Sequence, residues 1–240
     1  MTIQDRAARV QDAIAAACAA AGRSPDEVTL VAVSKTHPAP MVLEAVEAGL
    51  RHFGENRVEE ASDKIPVVNA GTEADIVWHM IGHIQSRKAK DVIPLFQMVH
   101  SVDSARLAGK LAAAAEREGR TLDVLLEINI SGEASKYGID AAGWERDPAV
   151  LERVWGQVRT IAALPALHVR GLMTMAPIVE QAELTRPVFA GLAALRDELA
   201  STLKLALPDL SMGMTDDYSV AVQAGATIVR VGRAIFGERQ

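Results

Sequence analysis

Apolar residues along the chain fall into short runs, separated by longer stretches in which they recur every three or four positions. The first run, Leu30 to Val33 in TLVAVSKTHP, suits a strand packed on both faces, and Pro38 forbids its continuation. Seven comparable runs follow: HFGE, IVWHMIG, MVHSV, DVLLEIN, HVRGLM, LSMG and TIVRVG. Helical patterns lie between them. They are PMVLEAVEAGL, NRVEEASDKI, SRKAKDVIPLF, an alanine-rich segment from Ser104 to Arg117, and a segment beginning near Asp147 and Pro148. One more runs across 181–205 with Pro187 near its start, followed by DDYSVAVQAG and the closing RAIFG. Ahead of the first strand, Ile3, Ala7, Val10, Ile14, Cys18 and Ala21 share one helix face that Gly22 ends, so residues 1–22 are read as an added N-terminal helix.

Strict alternation of strand and helix argues for a parallel sheet with crossover helices. Eight such units in 240 residues match the size of a (β/α)8 TIM barrel. An open doubly wound sheet would use fewer strands and an early glycine-rich turn, and VAVSKTHP has no glycine. Residues 1–240 are therefore read as a single TIM-barrel domain of the α/β class. The stretch GEASKYGIDAAGWERDP (132–148) is the one long irregular region, expected as a loop over one end of the barrel.

Composition narrows the functions. With 49% hydrophobic and 23% charged residues and a net charge of −6, nothing favours nucleic acid or an anionic membrane as partner. No apolar run approaches the roughly 18 residues that span a bilayer. Arg6 and Arg9 before AIAAACAAAG resemble a signal peptide superficially, but Asp5, Gln11 and Asp12 interrupt the pattern and a helix is the better reading. The single cysteine, Cys18, excludes an internal disulfide and fits a reducing compartment, so a cytoplasmic location is expected, and a monomer.

In a (β/α)8 barrel, chemistry collects at the C-terminal ends of the strands, with phosphate often bound after the seventh and eighth. SMGM and RVGRAIFG occupy those two places. Gly213 and Gly232 carry no Cβ to keep backbone N–H groups from a phosphate, and Ser211 adds a hydroxyl. Lys35, just past the first strand, is a candidate amine for a Schiff base, and together with a phosphate cup it suits a phosphorylated aldehyde. That aldehyde is either pyridoxal 5′-phosphate or a sugar phosphate. Arg230 has the same parity as Gly232 and points toward the barrel axis or mouth, either to donate to a pyridine nitrogen or to form an ion pair inside the barrel. His79 and His83 sit four apart, but on a strand that separation is roughly 13 Å, and no acidic residue nearby completes a metal site. No Gly-x-Ser-x-Gly elbow occurs.

The motifs VAVSKTHP, HFGENRVEE, WHMIGHIQSRKAK, RGLMTMAP, LSMGMTDDY and RVGRAIFG, in order from about residue 28 to 238, resemble the pyridoxal 5′-phosphate (PLP) homeostasis proteins. The resemblance implies a fold-type III PLP barrel related to the N-terminal domain of alanine racemase. It also implies a protein that buffers PLP or delivers it to apo PLP-dependent enzymes. By motif, Lys35 matches the Schiff-base lysine and Asn56 a residue lining the cofactor ring. Ser211, Gly213, Gly232 and the amide of Arg233 match the phosphate cup, and Arg230 the pyridine-nitrogen partner. Three positions depart: His37 stands where lysine is frequent, Arg87 where asparagine is frequent, and Tyr137 where a small residue is frequent. All three touch the expected mouth, so they bear on entrance contacts.

Two enzymes compete with the carrier. A racemase needs a second acid/base opposite the lysine, supplied in alanine racemases by a tyrosine of a C-terminal β-domain. Here FGERQ follows the eighth strand directly, no such domain is expected, and only Tyr137 and Tyr218 are available. A cofactor-free Schiff-base aldolase would want an acid beside the lysine, for which Glu55 is the candidate. The carrier reading, with no catalytic residue and no metal, is preferred.

Overall fold

The computed structural model describes residues 1–238. Eight parallel strands form a closed ring: β1 (Thr29–Val33), β2 (His52–Glu55), β3 (Val77–Met80), β4 (Met98–Val102), β5 (Leu122–Asn129), β7 (Leu167–Met173), β8 (Asp209–Ser211) and β9 (Ile228–Val231). Pairing of β1 with β9 and of β4 with β5 leaves no open edge in the ring. The outer helices are α2 (Ala39–Glu47), α3 (Val58–Ala70), α4 (Ala89–Val92), α5 (Ala105–Arg117), α6 (Pro148–Ala162), α7 (Arg186–Leu203), α8 (Tyr218–Gln223) and α9 (Arg233–Phe236). The added helix α1 (Ile3–Ala20) packs against α2, α8 and α9 and buries Ile3, Ala7, Val10, Ile14, Ala17 and Cys18. Ala21, expected on that face, is the exposed C-cap.

Local chemistry explains the boundaries. Ser104 Oγ accepts from the Leu107 amide at 3.3 Å and starts α5, and Asp147 Oδ1 accepts from the Ala149 amide at 2.9 Å ahead of Pro148. Two elements depart from expectation. The SRKAKDVIPLF helix shrinks to a 3-10 turn, Ser86–Lys88, and one turn of α4, because Pro94 has no N–H to continue it. Within 132–148 a two-residue strand, β6 (Ile139–Asp140), pairs with the end of β5. Gly138 makes that approach possible: its φ is +114°, and a Cβ there would lie 2.9 Å from both Asn129 N and Glu127 O.

The core is split by the barrel wall. Outside it, Phe53, Trp78, Phe96 and Phe189 are fully buried between strands and helices. Inside, Val31, Leu125, Met173 and Ile228 form a small separate apolar plug, with Met98 and Met175 against it. The inward positions around this plug are buried and polar: His79, His100, Glu127, Asn129, Ser211 and Arg230. A parallel barrel normally fills its interior with branched apolar side chains, so this concentration of polar groups marks the site.

Candidate functional site

Lys35 lies two residues past β1, half-buried, and its neighbours on both sides are fixed. The Ser34 amide donates to Gly54 O at 3.0 Å, extending the β1–β2 ladder by one bond. On the outer side of the wall, Lys64 of α3 is 7% exposed and donates to three acceptors. They are Ser34 O at 2.8 Å, Glu55 Oε1 at 2.8 Å and Glu60 Oε1 at 2.7 Å. Ser34 Oγ also donates to Glu55 Oε1, at 2.7 Å, and the Thr36 amide donates to Glu60 Oε1. Thr36 adopts φ +67°, a left-handed conformation that costs a β-branched residue on the order of 1–2 kcal/mol and that the Glu60 contact helps to hold. His37 stacks on Phe236 with ring centroids 5.0 Å apart.

This arrangement removes Glu55 from the chemistry. It is fully buried on the outer face and tied to Lys64, so it does not stand beside the Lys35 amine as the aldolase reading required. Burial pushes its carboxyl above the usual range, while Lys64 and Ser34 pull it back.

Gly213 and Gly232 lie just past the ends of the adjacent strands β8 and β9, and the Arg230 amide donates to Gly213 O at 3.0 Å. Gly213 has φ +89°, and a Cβ there would sit 2.5 Å from Ala221 Cβ and 2.9 Å from Tyr218 Cα. At Gly232 a Cβ would meet Val33 O at 3.3 Å. Both glycines are therefore demanded by the chain itself, in addition to any ligand. Among the described residues, no hydrogen bond is made by the amides of Gly213, Gly232 or Arg233. The Arg233 side chain is exposed and paired with Asp216, leaving its amide as the relevant group. Uncommitted backbone N–H groups in this place fit a phosphate.

Arg230 is 4% exposed. Its Nη1 donates to Ser211 Oγ at 2.6 Å and its Nη2 to Thr174 O at 3.0 Å. Burial draws the guanidinium down to about 10, against the pull of Glu127 and Asp217, so it stays charged at neutral pH. Glu127 is pushed up to about 7 by burial and by Asp103, against the attraction of Arg230. Ser211 Oγ is also 2.9 Å from His100 Nδ1, His100 Nε2 is 2.9 Å from His79 Nδ1, and His79 Nε2 is 3.0 Å from His52 Nδ1. Desolvation lowers all three imidazoles, His79 to about 3 and His100 well below its ordinary value. The Ser211 hydroxyl, expected at a phosphate, is thus held between Arg230 and His100.

The mouth is roofed from one side. Asn129 Nδ2 donates to Glu133 O at 3.0 Å, and Lys136 Nζ donates to Met175 O at 3.0 Å, so the turn after β5 reaches toward β7. Tyr137 stacks on His83 at 4.0 Å, and His83 Nδ1 lies 3.3 Å from Asp103 Oδ2. His79 and His83 therefore serve different places, one inside the barrel and one on its rim. Asn56 is half-buried after β2, and its backbone packs so closely on Gly82 that a Cβ there would lie 2.2 Å from Asn56 O. Of the departures from the family pattern, Tyr137 is a rim contact, His37 stacks on Phe236, and Arg87 turns to Gln85 on the surface. Among the described residues, no group of three or more His, Cys, Asp or Glu is placed to hold a metal ion.

Sequence reading named Lys35, Asn56, Ser211, Gly213, Arg230, Gly232 and Arg233. It missed Glu127, His100 and Lys64. Glu127 and His100 were detectable as polar residues at inward positions within the mostly apolar strands β5 and β4. Lys64 was not, because the two partners that give it its role, Ser34 O and Glu55, lie outside its own helix.

The family model for the N-terminal domain of alanine racemase matches residues 10–240. A pyridoxal phosphate homeostasis protein of Pseudomonas aeruginosa is 44% identical over 239 residues, covering 99% of this chain and 96% of that one. One from Aquifex aeolicus is 38% identical over 240 residues and covers both chains completely. The structure of PipY from Synechococcus elongatus, solved with PLP bound, superposes with a TM-score of 0.82 at 34% identity, covering 98% of this chain and 100% of that one. Matches of this identity over the whole length place the barrel beyond fold likeness alone: the chain belongs to the pyridoxal phosphate homeostasis proteins, built on the alanine racemase N-terminal-domain fold.

Proposed function

We propose that this protein binds pyridoxal 5′-phosphate at the C-terminal mouth of the barrel and buffers it or hands it on, without turning over a substrate. The carrying observation is the juxtaposition of a lysine whose two neighbours are pinned with uncommitted amides at the ends of β8 and β9. PLP supplies an aldehyde that condenses reversibly with a primary amine, which is the chemistry a carrier needs. Lys35 provides the amine. The amides of Gly213, Gly232 and Arg233 bind the phosphate, and Asn56 lines the ring. Arg230 donates at the ring-nitrogen end, where a cation makes the cofactor a weaker electron sink than a carboxylate would. Neither tyrosine serves as a second base: Tyr137 is 55% exposed and stacked on His83, and Tyr218 opens α8 with its hydroxyl pushed up by burial. Cys18, buried and unbridged, suits the cytoplasm, and among the described residues no helix is long and apolar enough to cross a membrane.

The test is transfer. Protein loaded with PLP and mixed with an apo PLP-dependent enzyme should restore that enzyme's activity, while alanine added to the loaded protein should not racemise at enzyme-like turnover, about 1–10³ s⁻¹. Rapid solvent-deuterium incorporation at the alanine α-carbon, with no cofactor transfer, would favour the racemase.

A further inference from the structure

Three histidines from three adjacent strands touch in file across the inside of the barrel. His52 of β2, His79 of β3 and His100 of β4 are linked nitrogen to nitrogen, and the file ends on Ser211 of β8 and Arg230 of β9. The β2–β3 register places Gly54 opposite His79, and Gly54 has no side chain to block the interior: a Cβ there would lie 3.0 Å from Ile81 and from Val31. His79 and His100 are 2% and 0% exposed, so no bulk water competes for their nitrogens.

Hydrogen counting fixes the direction of every bond. A guanidinium only donates, so Ser211 Oγ accepts from Arg230 Nη1. The serine hydroxyl has one hydrogen, and among the described residues the other polar atom within reach of Oγ is His100 Nδ1. That hydrogen therefore goes to Nδ1, which must be unprotonated. His100 then carries its hydrogen on Nε2 and donates to His79 Nδ1, and His79 in turn donates from Nε2 to His52 Nδ1. All three rings are neutral and all three are Nε2–H tautomers. The reverse polarity would leave the buried serine O–H without an acceptor.

We propose that His52, His79 and His100 are a positioning array for Arg230. By taking the Ser211 hydrogen, the array turns the serine lone pairs toward the guanidinium. Together with Thr174 O, it then fixes the plane in which Arg230 offers its remaining N–H groups to a ligand in the mouth. The tautomer assignment depends on the protein alone. The effect on a ligand rests on the cofactor reading above, because it assumes that Arg230 faces the ring-nitrogen end. None of the three histidines touches the ligand in this account; they act through Ser211.

The tautomers are read in ligand-free protein labelled with 15N-histidine, by two-bond proton–nitrogen correlation at mildly alkaline pH. Three of the six histidines should show protonated Nε2 and unprotonated Nδ1, with Nε2 protons shifted downfield by their hydrogen bonds. Ser211→Ala should release His100 into a tautomer mixture. In binding, His100→Phe should weaken PLP and unphosphorylated pyridoxal alike, each by about tenfold. His100→Asn, whose amide oxygen can take the serine hydrogen, should recover most of the loss. A His100 that carries its proton on Nδ1 overturns the array, as does a His100→Phe protein that binds both ligands as tightly as the parent. If the parent binds no PLP, the cofactor reading fails while the tautomer result still decides the array. If His100→Phe does not fold, the tautomers of the parent and of Ser211→Ala decide it.

Discussion

Lys64 Nζ lies 2.8 Å from the carbonyl oxygen of Ser34, and 2.7 Å from the Glu60 carboxylate oxygen that also accepts from the Thr36 amide. One buried ammonium on α3 thereby braces the backbone on both sides of Lys35 without approaching the ligand side of the strand. The brace is costly to assemble, since among the described residues Glu55 Oε2 is left buried with no partner. Such a cost makes sense where the position of a reacting amine must be held.

Lys64→Met should therefore destabilise the protein by about 3–5 kcal/mol, because Glu55 is left as an unpaired buried carboxyl. Adding Glu55→Leu should recover much of that stability in urea unfolding while PLP affinity stays reduced, since the brace is still missing. Full recovery of affinity in the double variant would show that the network serves stability only.

At the cup, Gly213→Ala should cost stability, about 2 kcal/mol or more, since the residue must hold φ +89° against Ala221. Replacing Gly232 by a bulky residue should weaken PLP far more than unphosphorylated pyridoxal, because the lost contacts are amide donors to phosphate. Equal weakening of both ligands, measured by titration, would place Gly232 outside the cup.

Stability should respond to pH through two opposed sets of groups. The buried imidazoles are harder to protonate folded than unfolded. Between the unfolded value of about 6.5 and the folded value of about 3 for His79, the unfolded chain binds more protons, so stability falls as pH drops through that window. Glu127 runs the other way. Its folded value of about 7 exceeds the model-peptide 4.5, so its contribution is full below about 4.5 and is lost as pH rises through 7. Glu127→Gln should accordingly gain on the parent between pH 5 and 8, by on the order of 2 kcal/mol. A constant difference across that range, in denaturation at fixed pH values, would contradict the burial of Glu127 as a neutral acid.

Hydrophobic periodicity was enough to find the eight strands and the barrel, because each strand carries a short buried apolar run and each helix an apolar face. Ser104, Asp147 and Pro187 marked helix starts by chemistry that acts within a few residues. The amine, the two glycines and Arg230 were legible because a barrel gathers its strand ends in one place. What stayed hidden depends on register between strands. His52, His79 and His100 meet only because the parallel pairing of β2, β3 and β4 staggers them by two residues from strand to strand on the same inner face. The stack of Tyr137 on His83 likewise depends on how two loops fold over the rim. The SMGM motif suggests a phosphate for the Ser211 hydroxyl, whereas its contacts with Arg230 and His100 depend on the closed barrel bringing β4, β8 and β9 around one interior.

We propose that Lys35 is the amine that holds PLP. Borohydride reduction of the loaded protein, followed by proteolysis and peptide mass mapping, tests it most directly. One reduced pyridoxyl-phosphate group is expected on the peptide carrying Lys35, and none in Lys35→Ala, whose barrel should remain folded by circular dichroism. Modification of another lysine in the parent, or a stoichiometric reducible adduct that persists in Lys35→Ala, would contradict it.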